Sequence, residues 1–466
     1  MRPEEQLGTV TGSAHGVDSL RDYLRVLEEN RELRRVKDEV NAKFEIAAIH
    51  MKVQSERGPA LLFENVKGFD MPVLVNLLSS RRRLALCLGL AADTNIETLD
   101  KVISERMRNE VNVDVVSTGP CKEVILDSSR VNLTKYPIMT MHEKDAGPYI
   151  TGAFIVAKDP ETGIQNLSYH RLLLKSRNRL GILMEPRHLW SIYRKADSMN
   201  EPLKIAIVIG YNPLVGMAAA TGLPIGRNEY ALAGALAAHP IELVKAEDSD
   251  LLVPANAEIV MEGVVLPKVR EKEAPYGEYT GYYGNAAMRP VVEVQKITQR
   301  KDPIYYSITA RSSEVGYYFI AKTIRTLERI RESVPSVKSA NFLQTFFYAI
   351  SLKKEHEGDG RKAMLAAITA NDSIKYCVAV DDDVNTRSPE EVLWAIATRC
   401  DPAKDTFIIP RTFGQTLDPS AEGEDESRVW SLLCIDATRP IVKPFAERSR
   451  IPTLEDVERM KHQGLL

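Results

Sequence analysis

Two glutamates stand five residues apart in the stretch Glu273-Ala274-Pro275-Tyr276-Gly277-Glu278-Tyr279-Thr280-Gly281-Tyr282-Tyr283. Proline and glycine between them argue against a helix interior, so this is a fixed turn or the entry to a strand. Two carboxylates held close can divide their roles. One stays ionised against a cation, while the other has a raised pKa and delivers a proton. The same stretch also reads as a solvated acidic loop beside Arg270 and Glu271. A second group comprises Asn166-Leu167-Ser168-Tyr169-His170-Arg171, then Arg187-His188, then Asn228-Glu229. Asn166, His188 and Glu229 offer two oxygens and one nitrogen, which suits Mn²⁺ or Mg²⁺ better than structural zinc. Each also has an ordinary reading: a turn asparagine, a helix-start or surface histidine, a helix N-terminal acid. Arg171 precedes Leu172, Leu173 and Leu174, and an arginine in apolar surroundings needs a partner. That partner is a structural salt bridge, Glu273, or a substrate carboxylate held bidentately. The chain has no P-loop, HExxH, GxSxG or strand-linked GxGxxG,.

The elements that position these residues follow from periodicity. Residues 1–16, with Gly8, Gly12 and Gly16, read as a loose leader. Ser19 with Asp22 resembles a capping box, opening a helix with Leu20, Tyr23, Leu24 and Leu27 on one face,. Strand-like runs at 60–63 and 72–77, alternating with helical runs such as 95–106, predict an α/β domain over 1–125. Residues 126–310 carry short β-branched runs at 149–156, 203–209, 258–265 and 291–297, split by Pro and Gly. That density predicts a mainly antiparallel sheet or barrel, with helices only at 189–196 and 229–237. A charged amphipathic helix over 315–333 lies in a linker, 311–335. The last domain, 336–466, has an apolar strand at 374–380 running into Asp381-Asp382-Asp383. Ser388 then caps a helix, with Pro389 at its first position and Glu391 at its third. Residues 418–426 read as a mobile acidic loop.

At 466 residues the chain exceeds one ordinary core,. Its 44% hydrophobic and 27% charged residues are globular composition,. A net charge of −3 implies no basic field for nucleic acid,. The five cysteines are scattered, with no CxxC pair, which points to a reducing, cytoplasmic setting rather than a disulfide framework or zinc site,. The opening Met1-Arg2-Pro3-Glu4-Glu5 lacks the apolar region of a signal peptide,. Residues 205–226 contain no charge and reach the ~20 residues a bilayer span needs,. Pro213, Pro224, Asn212, Thr221 and four glycines instead predict a buried strand at 203–209 followed by a Gly/Pro/Ala-rich loop, because broken backbone in lipid leaves polar groups unpaired.

Together these segments resemble the UbiD family of prenylated-flavin-dependent decarboxylases. The resemblance covers nearly the whole chain, from the helix at 20–27 through Gly58-Pro59-Ala60-Leu61-Leu62-Phe63-Glu64-Asn65 and 253–263 to 381–399. Its most specific motifs are Glu-x-Pro-aromatic-Gly-Glu at 273–278 and Val-Leu-Trp-Ala-Ile-Ala-Thr-Arg at 392–399. The resemblance implies a multidomain α+β protein. An N-terminal α/β domain, a central flavin reductase-like split β-barrel, a linker helix and a C-terminal α/β dimerisation domain would follow one another. The assembly implied is a homodimer or a dimer-based hexamer. The cofactor implied is prenylated FMN, its phosphate clamped by Mn²⁺ (or Mg²⁺) with K⁺ nearby. Asn166, His188 and Glu229 match the metal ligands. Thr151, Ser168, Tyr169, His170, Arg171 and Arg187 match the cofactor lining, with Thr221, Gly222 and Leu223 on a loop beside it. Arg171, Glu273 and Glu278 match the catalytic set. Glu278 would supply the proton that replaces CO₂, its pKa raised by burial, while the Arg171–Glu273 pair fixes geometry and helps the cofactor mature.

The reaction implied is reversible, non-oxidative decarboxylation of an aromatic, heteroaromatic or α,β-unsaturated carboxylic acid, with a flavin prenyltransferase supplying the cofactor. Other classes are a non-catalytic cofactor-binding or assembly subunit, and a flavin reductase; the intact Arg-Glu-Glu set favours the decarboxylase. Three departures stand out. The 223–229 loop is shorter than in some members. Ser431-Leu432-Leu433 precede Cys434-Ile435-Asp436-Ala437-Thr438 where several members carry a lysine; if that lysine contacts the cofactor, another group such as Arg428 must serve. His170 stands where members vary and is a candidate substrate contact. Residues near 183–186 and 436–445 would set pocket size.

Overall fold

Leu20, Tyr23, Leu24 and Leu27 lie buried along one side of the helix Leu20–Glu29. Ser19 caps it, accepting the Asp22 N–H at 3.1 Å. The Asp22 carboxylate takes the Ser19 hydroxyl at 2.6 Å and also pairs with Arg25. In this computed structural model residues 17–423, 427–449 and 451–465 are described. The expected leader and residues 424–426 of the expected acidic loop lie outside them.

Leu33–Val36, Ala60–Phe63 and Val73–Val75 form a four-stranded sheet, completed by Tyr305–Tyr306 from far along the chain. Chain contacts divide the protein into two units. The first comprises the residues up to Thr326 together with Phe413–Trp430; the second comprises Leu327–Thr412 and the residues from Ser431 onward. The fold is mixed α+β.

The first unit is dominated by a nine-stranded antiparallel sheet. Its order is Tyr149–Ile150, Leu172–Leu174, Arg179–Ile182, Ala287–Gln299, Ile259–Glu273, Leu203–Ile209, Ala153–Lys158, Gln165–Tyr169, with Val124–Leu126 alongside Ala287–Gln299. Among the described residues this path stays open. Ile259–Glu273 and Ala287–Gln299 form one long hairpin, Glu273 pairing with Ala287. The stretch carrying Glu278 is therefore a hairpin tip.

Residues 205–226 depart from expectation in one respect. Leu203–Ile209 is a strand, but the expected loop contains a helix, Pro213–Thr221, all of it buried. Asn212 caps it by accepting the Leu214 N–H at 2.9 Å, Pro213 occupies its first turn, and Gly222 ends it at φ 65°. Pro213 and Gly222 sit at its ends and Pro224 beyond; Gly216 lies inside it, where a Cβ would collide with Tyr169, Tyr211 and Tyr318, and Ala218–Ala220 continue it,. Among the described residues no helix is long and apolar enough to cross a membrane. The helix expected at 315–333 is two, Ser313–Tyr318 and Ile320–Ser333.

The first of these buries Glu314 completely. Its Oε1 accepts the Leu78 N–H at 2.8 Å and the Tyr306 hydroxyl at 2.7 Å. Burial pushes the carboxyl up to about 6. Its folded pKa thus exceeds the ~4.3 of an unfolded glutamate. The contribution of Glu314 to stability is full below that lower value and is lost as pH rises to about 6,. Glu314→Gln should flatten this part of the pH dependence of thermal unfolding; an unchanged slope would contradict the assignment.

In the second unit, five strands run in the order Val337–Gln344, Phe347–Leu352, Tyr376–Asp381, Val429–Ala437, Thr406–Phe413. The middle three are parallel. The helix Pro389–Arg399 begins as expected, Ser388 accepting the Glu391 N–H at 3.2 Å. At its other end Arg399 bonds Asp381 at 2.6 Å and Asp383 at 2.8 and 2.9 Å, which accounts for the acidic turn.

Candidate active site

Side chains alternate along a strand, and this sorts the residues of Gln165–Tyr169 into two groups. Leu167 and Tyr169 share one face. Tyr169 packs 5.8 Å from the Tyr318 ring and meets the Tyr211 hydroxyl, so its side chain belongs to a tyrosine cluster rather than to the face of Asn166 and Ser168. Beyond the strand, His170 Nδ1 lies 3.0 Å from the Leu183 carbonyl and therefore carries the proton. Its Nε2, 3.0 Å from Ser168 Oγ, then accepts that hydroxyl. Burial pushes the imidazole down to about 4. Both ring nitrogens are engaged within the protein, so His170 orients Ser168.

Arg171 is placed just before Leu172–Leu174, and Glu273 at the end of the long hairpin strand. The guanidinium bonds Glu273 bidentately, Nε to Oε1 at 3.0 Å and Nη2 to Oε2 at 3.0 Å. Its remaining nitrogen, Nη1, lies against Glu278 Oε1. Glu273 is 0% and Glu278 6% exposed. Neither Arg171 Nη1 nor Glu278 Oε1 completes a well-formed hydrogen bond. The Tyr276 ring lies 5.1 Å from the guanidinium, a cation–π contact that steadies it from one side,. Gly284 leaves bare backbone here: a Cβ would stand 3.2 Å from Glu278 Oε1 and 3.5 Å from Arg171 Nη2. One cation thus holds two buried carboxylates, one by a fork and the other by a single contact.

Asn166 and Glu229 also meet. Asn166 Nδ2 donates to Glu229 Oε1 at 3.1 Å, and the Leu167 N–H approaches Oε2 at 3.4 Å. Glu229 opens the helix Glu229–Ala237, and burial pushes its carboxyl up to about 7. Asn166 Oδ1 is buried without a partner. An orphaned amide oxygen beside a buried carboxyl fits a hard divalent cation. His188 opens the helix His188–Ser198, half-buried, its pKa lowered by burial and by Arg187. Among the described residues no three His, Cys, Asp or Glu side chains cluster as a metal site. The fit therefore rests on the asparagine–glutamate pair.

The remaining candidates are dispersed. Thr151 Oγ1 lies 3.1 Å from Ser307 Oγ, a residue with no signal in sequence. Arg187 immediately precedes the His188–Ser198 helix and makes no side-chain capping bond to it. The Thr221 hydroxyl is spent on the Met217 carbonyl at 2.8 Å, inside the helix that replaced the expected loop. The exposed Gly222 carbonyl accepts from Arg325 at 3.0 Å, and Leu223 follows, partly buried. Arg428 donates to the Asp418 carbonyl at 3.0 Å, tying its own segment. In that segment the Thr416 hydroxyl meets Glu185, just ahead of Arg187 and His188. The five cysteines are free.

Models of three consecutive domains match the chain: the N-terminal domain of 3-octaprenyl-4-hydroxybenzoate carboxy-lyase over residues 24–103, its Rift-related domain over 114–312 and its C-terminal domain over 318–437. Anhydromevalonate phosphate decarboxylase of Methanothermobacter thermautotrophicus is 33% identical, covering 87% of this chain and 94% of that protein. Phenolic acid decarboxylase of Sedimentibacter hydroxybenzoicus is 34% identical, covering 91% and 92%. The UbiD-class enzyme HmfF from Pelotomaculum thermopropionicum, solved with FMN, is 40% identical with a TM-score of 0.85, covering 96% of this chain and 100% of that one. An evolved dimeric form of that enzyme is solved with prFMN.

Proposed function

Because the chain belongs to the UbiD family of carboxy-lyases, we propose that it decarboxylates an aromatic, heteroaromatic or α,β-unsaturated carboxylic acid, reversibly and without oxidation, using prenylated FMN and Glu278 as proton donor. The observation that carries this reading is that Arg171, forked to Glu273, meets Glu278 Oε1 through Nη1 alone. A relative named for a phenolic acid and structural neighbours holding FMN and prFMN support the substrate class and the cofactor.

When bound, the prenylated flavin supplies the electron sink into which the bond to the departing CO₂ breaks. Arg171 attracts the substrate carboxylate, and its fork to Glu273 keeps the guanidinium aimed. Substrate arriving at Nη1 displaces Glu278, which then carries a proton. The bond between that carbon and the substrate carboxylate breaks, CO₂ leaves, and Glu278 delivers its proton to the vacated carbon. In reverse, the same carboxylate removes it. Asn166 and Glu229, with His188, would hold Mn²⁺ or Mg²⁺ at the cofactor phosphate, with K⁺ nearby. Thr151, Ser168 and Arg187 would line the flavin. A flavin prenyltransferase supplies the cofactor, and a second copy of the chain completes a homodimer or dimer-based hexamer. The free cysteines favour a cytoplasmic setting,.

The test is co-expression with a flavin prenyltransferase, a visible spectrum, and a panel of acids assayed for CO₂. A loaded protein that releases none from any acid would instead be a cofactor-binding subunit. The bare backbone at Gly284 bears on acid size. Gly284→Val fills space beside Glu278 and Arg171. It should lower kcat/KM for bulky acids by roughly 10–100-fold relative to small ones. An equal effect on all acids would place substrate elsewhere.

A further inference from the structure

The Glu278 tip is held by a second loop. Within the tip, the Glu278 N–H reaches the Tyr282 carbonyl at 2.9 Å, the Gly281 N–H reaches the Glu278 carbonyl at 2.9 Å, and the Gly284 N–H reaches the Tyr276 carbonyl at 2.9 Å. Gly277 and Tyr283 form a bridge across its base. Both legs of the tip are then gripped by residues between Met141 and Tyr149. The Ala146 N–H donates to the Pro275 carbonyl at 2.8 Å, and the Tyr149 hydroxyl to the same carbonyl at 3.3 Å. The Lys144 N–H donates to the Tyr283 hydroxyl at 3.2 Å.

Asp145 is the centre of this grip. Its side chain is fully buried. Oδ1 accepts the Gly277 N–H at 2.9 Å, one peptide before Glu278. Oδ2 accepts the N–H groups of Met141 at 3.2 Å and His142 at 2.9 Å. The His142 ring completes the set, Nδ1 standing 3.2 Å from Oδ2. That ring occupies the space beside Gly277 that a Cβ would need, and lies edge-on to Tyr276 at 5.7 Å. Although burial works against the charge, the His142 ring and the N–H groups hold this carboxyl below its ordinary range.

We infer that Asp145, backed by His142, is a positioning residue of the decarboxylation: by fixing the Gly277 peptide it sets where the Glu278 carboxyl stands relative to Arg171. Asp145 reaches neither Arg171 nor Glu278 by any bond described above, so it acts through the backbone. The inference rests on Glu278 as the proton donor. Proton transfer needs the acid within hydrogen-bond reach of its target, and a misplacement of about 1 Å can cost 10²-fold.

The experiment uses full-length protein loaded with prenylated FMN, and compares Asp145→Ala, Asp145→Asn and Glu278→Gln on an acid that the wild type turns over. The inference expects kcat to fall about 10–100-fold in Asp145→Ala and less in Asp145→Asn, which keeps one acceptor oxygen. KM and flavin absorbance should stay within about twofold. Unchanged kcat overturns it. So do parallel losses of kcat, KM and flavin occupancy, which indicate a general structural role. If Asp145→Ala does not fold, Asp145→Asn carries the reading; loss of fold in both also overturns it. An active Glu278→Gln would sink the proton-donor reading itself. Inactive Glu278→Gln beside normal Asp145 variants would sink only the positioning role.

Discussion

Glu278→Gln, loaded with cofactor, is expected to keep its flavin absorbance and its affinity for the acid while losing turnover by about 10²–10⁴-fold. The substitution preserves shape while removing the ionisable carboxyl and with it the transferable proton. Glu278 faces a cation through one oxygen, so losing its charge leaves no buried anion stranded and the fold should survive. Carbon dioxide release and solvent-deuterium incorporation read the two successive steps, bond cleavage and protonation. Wild-type rates of both in Glu278→Gln would move the proton to another group and remove the central claim.

Arg171→Ala is expected to affect stability as well as activity. Glu273 is 0% exposed and takes both its guanidinium bonds from Arg171. Removing one partner of a buried pair typically costs about 3–5 kcal/mol, because the other charge stays buried and uncompensated. The thermal midpoint should therefore drop, and decarboxylation should vanish with it. Arg171→Lys should not rescue turnover, since an ammonium cannot fork to Glu273 while also facing Glu278. The double variant Arg171→Ala/Glu273→Ala separates the two effects. It should recover much of the lost stability and none of the activity. Recovery of activity would mean that the guanidinium serves only the fold.

Much of the site could be read from local pattern. The Pro-Gly spacing around Glu278 announced a fixed turn, and the apolar run after Arg171 announced that its charge needed a partner. Ser388-Pro389 likewise marked a helix start. What escaped was tertiary. No local signal shows that Asp145 reaches Gly277, because the contact spans 132 residues and uses a backbone N–H. Alternation along Gln165–Tyr169 sends Tyr169 away from Asn166, but five residues do not reveal which face meets the cofactor. The helix Pro213–Thr221 was missed because proline and glycine were read as breakers, when here Pro213 and Gly222 sit at the start and the stop and Gly216 is a close-packing position within it. His170 resembled a free functional group until both ring nitrogens were seen to be committed.

The first unit also takes Phe413–Trp430 from beyond the Leu327–Thr412 stretch. On the ribosome, then, this unit is incomplete when its longest run, ending at Thr326, has emerged; its last piece arrives only with Trp430. At typical synthesis rates that interval is roughly 5–20 s. During it the nascent chain carries an unfinished surface, where the segment bearing Thr416 will later meet Glu185. A gene cut after Thr326 would never close that gap. Expressing the two halves as separate polypeptides would therefore ask the second to deliver a missing piece of the first.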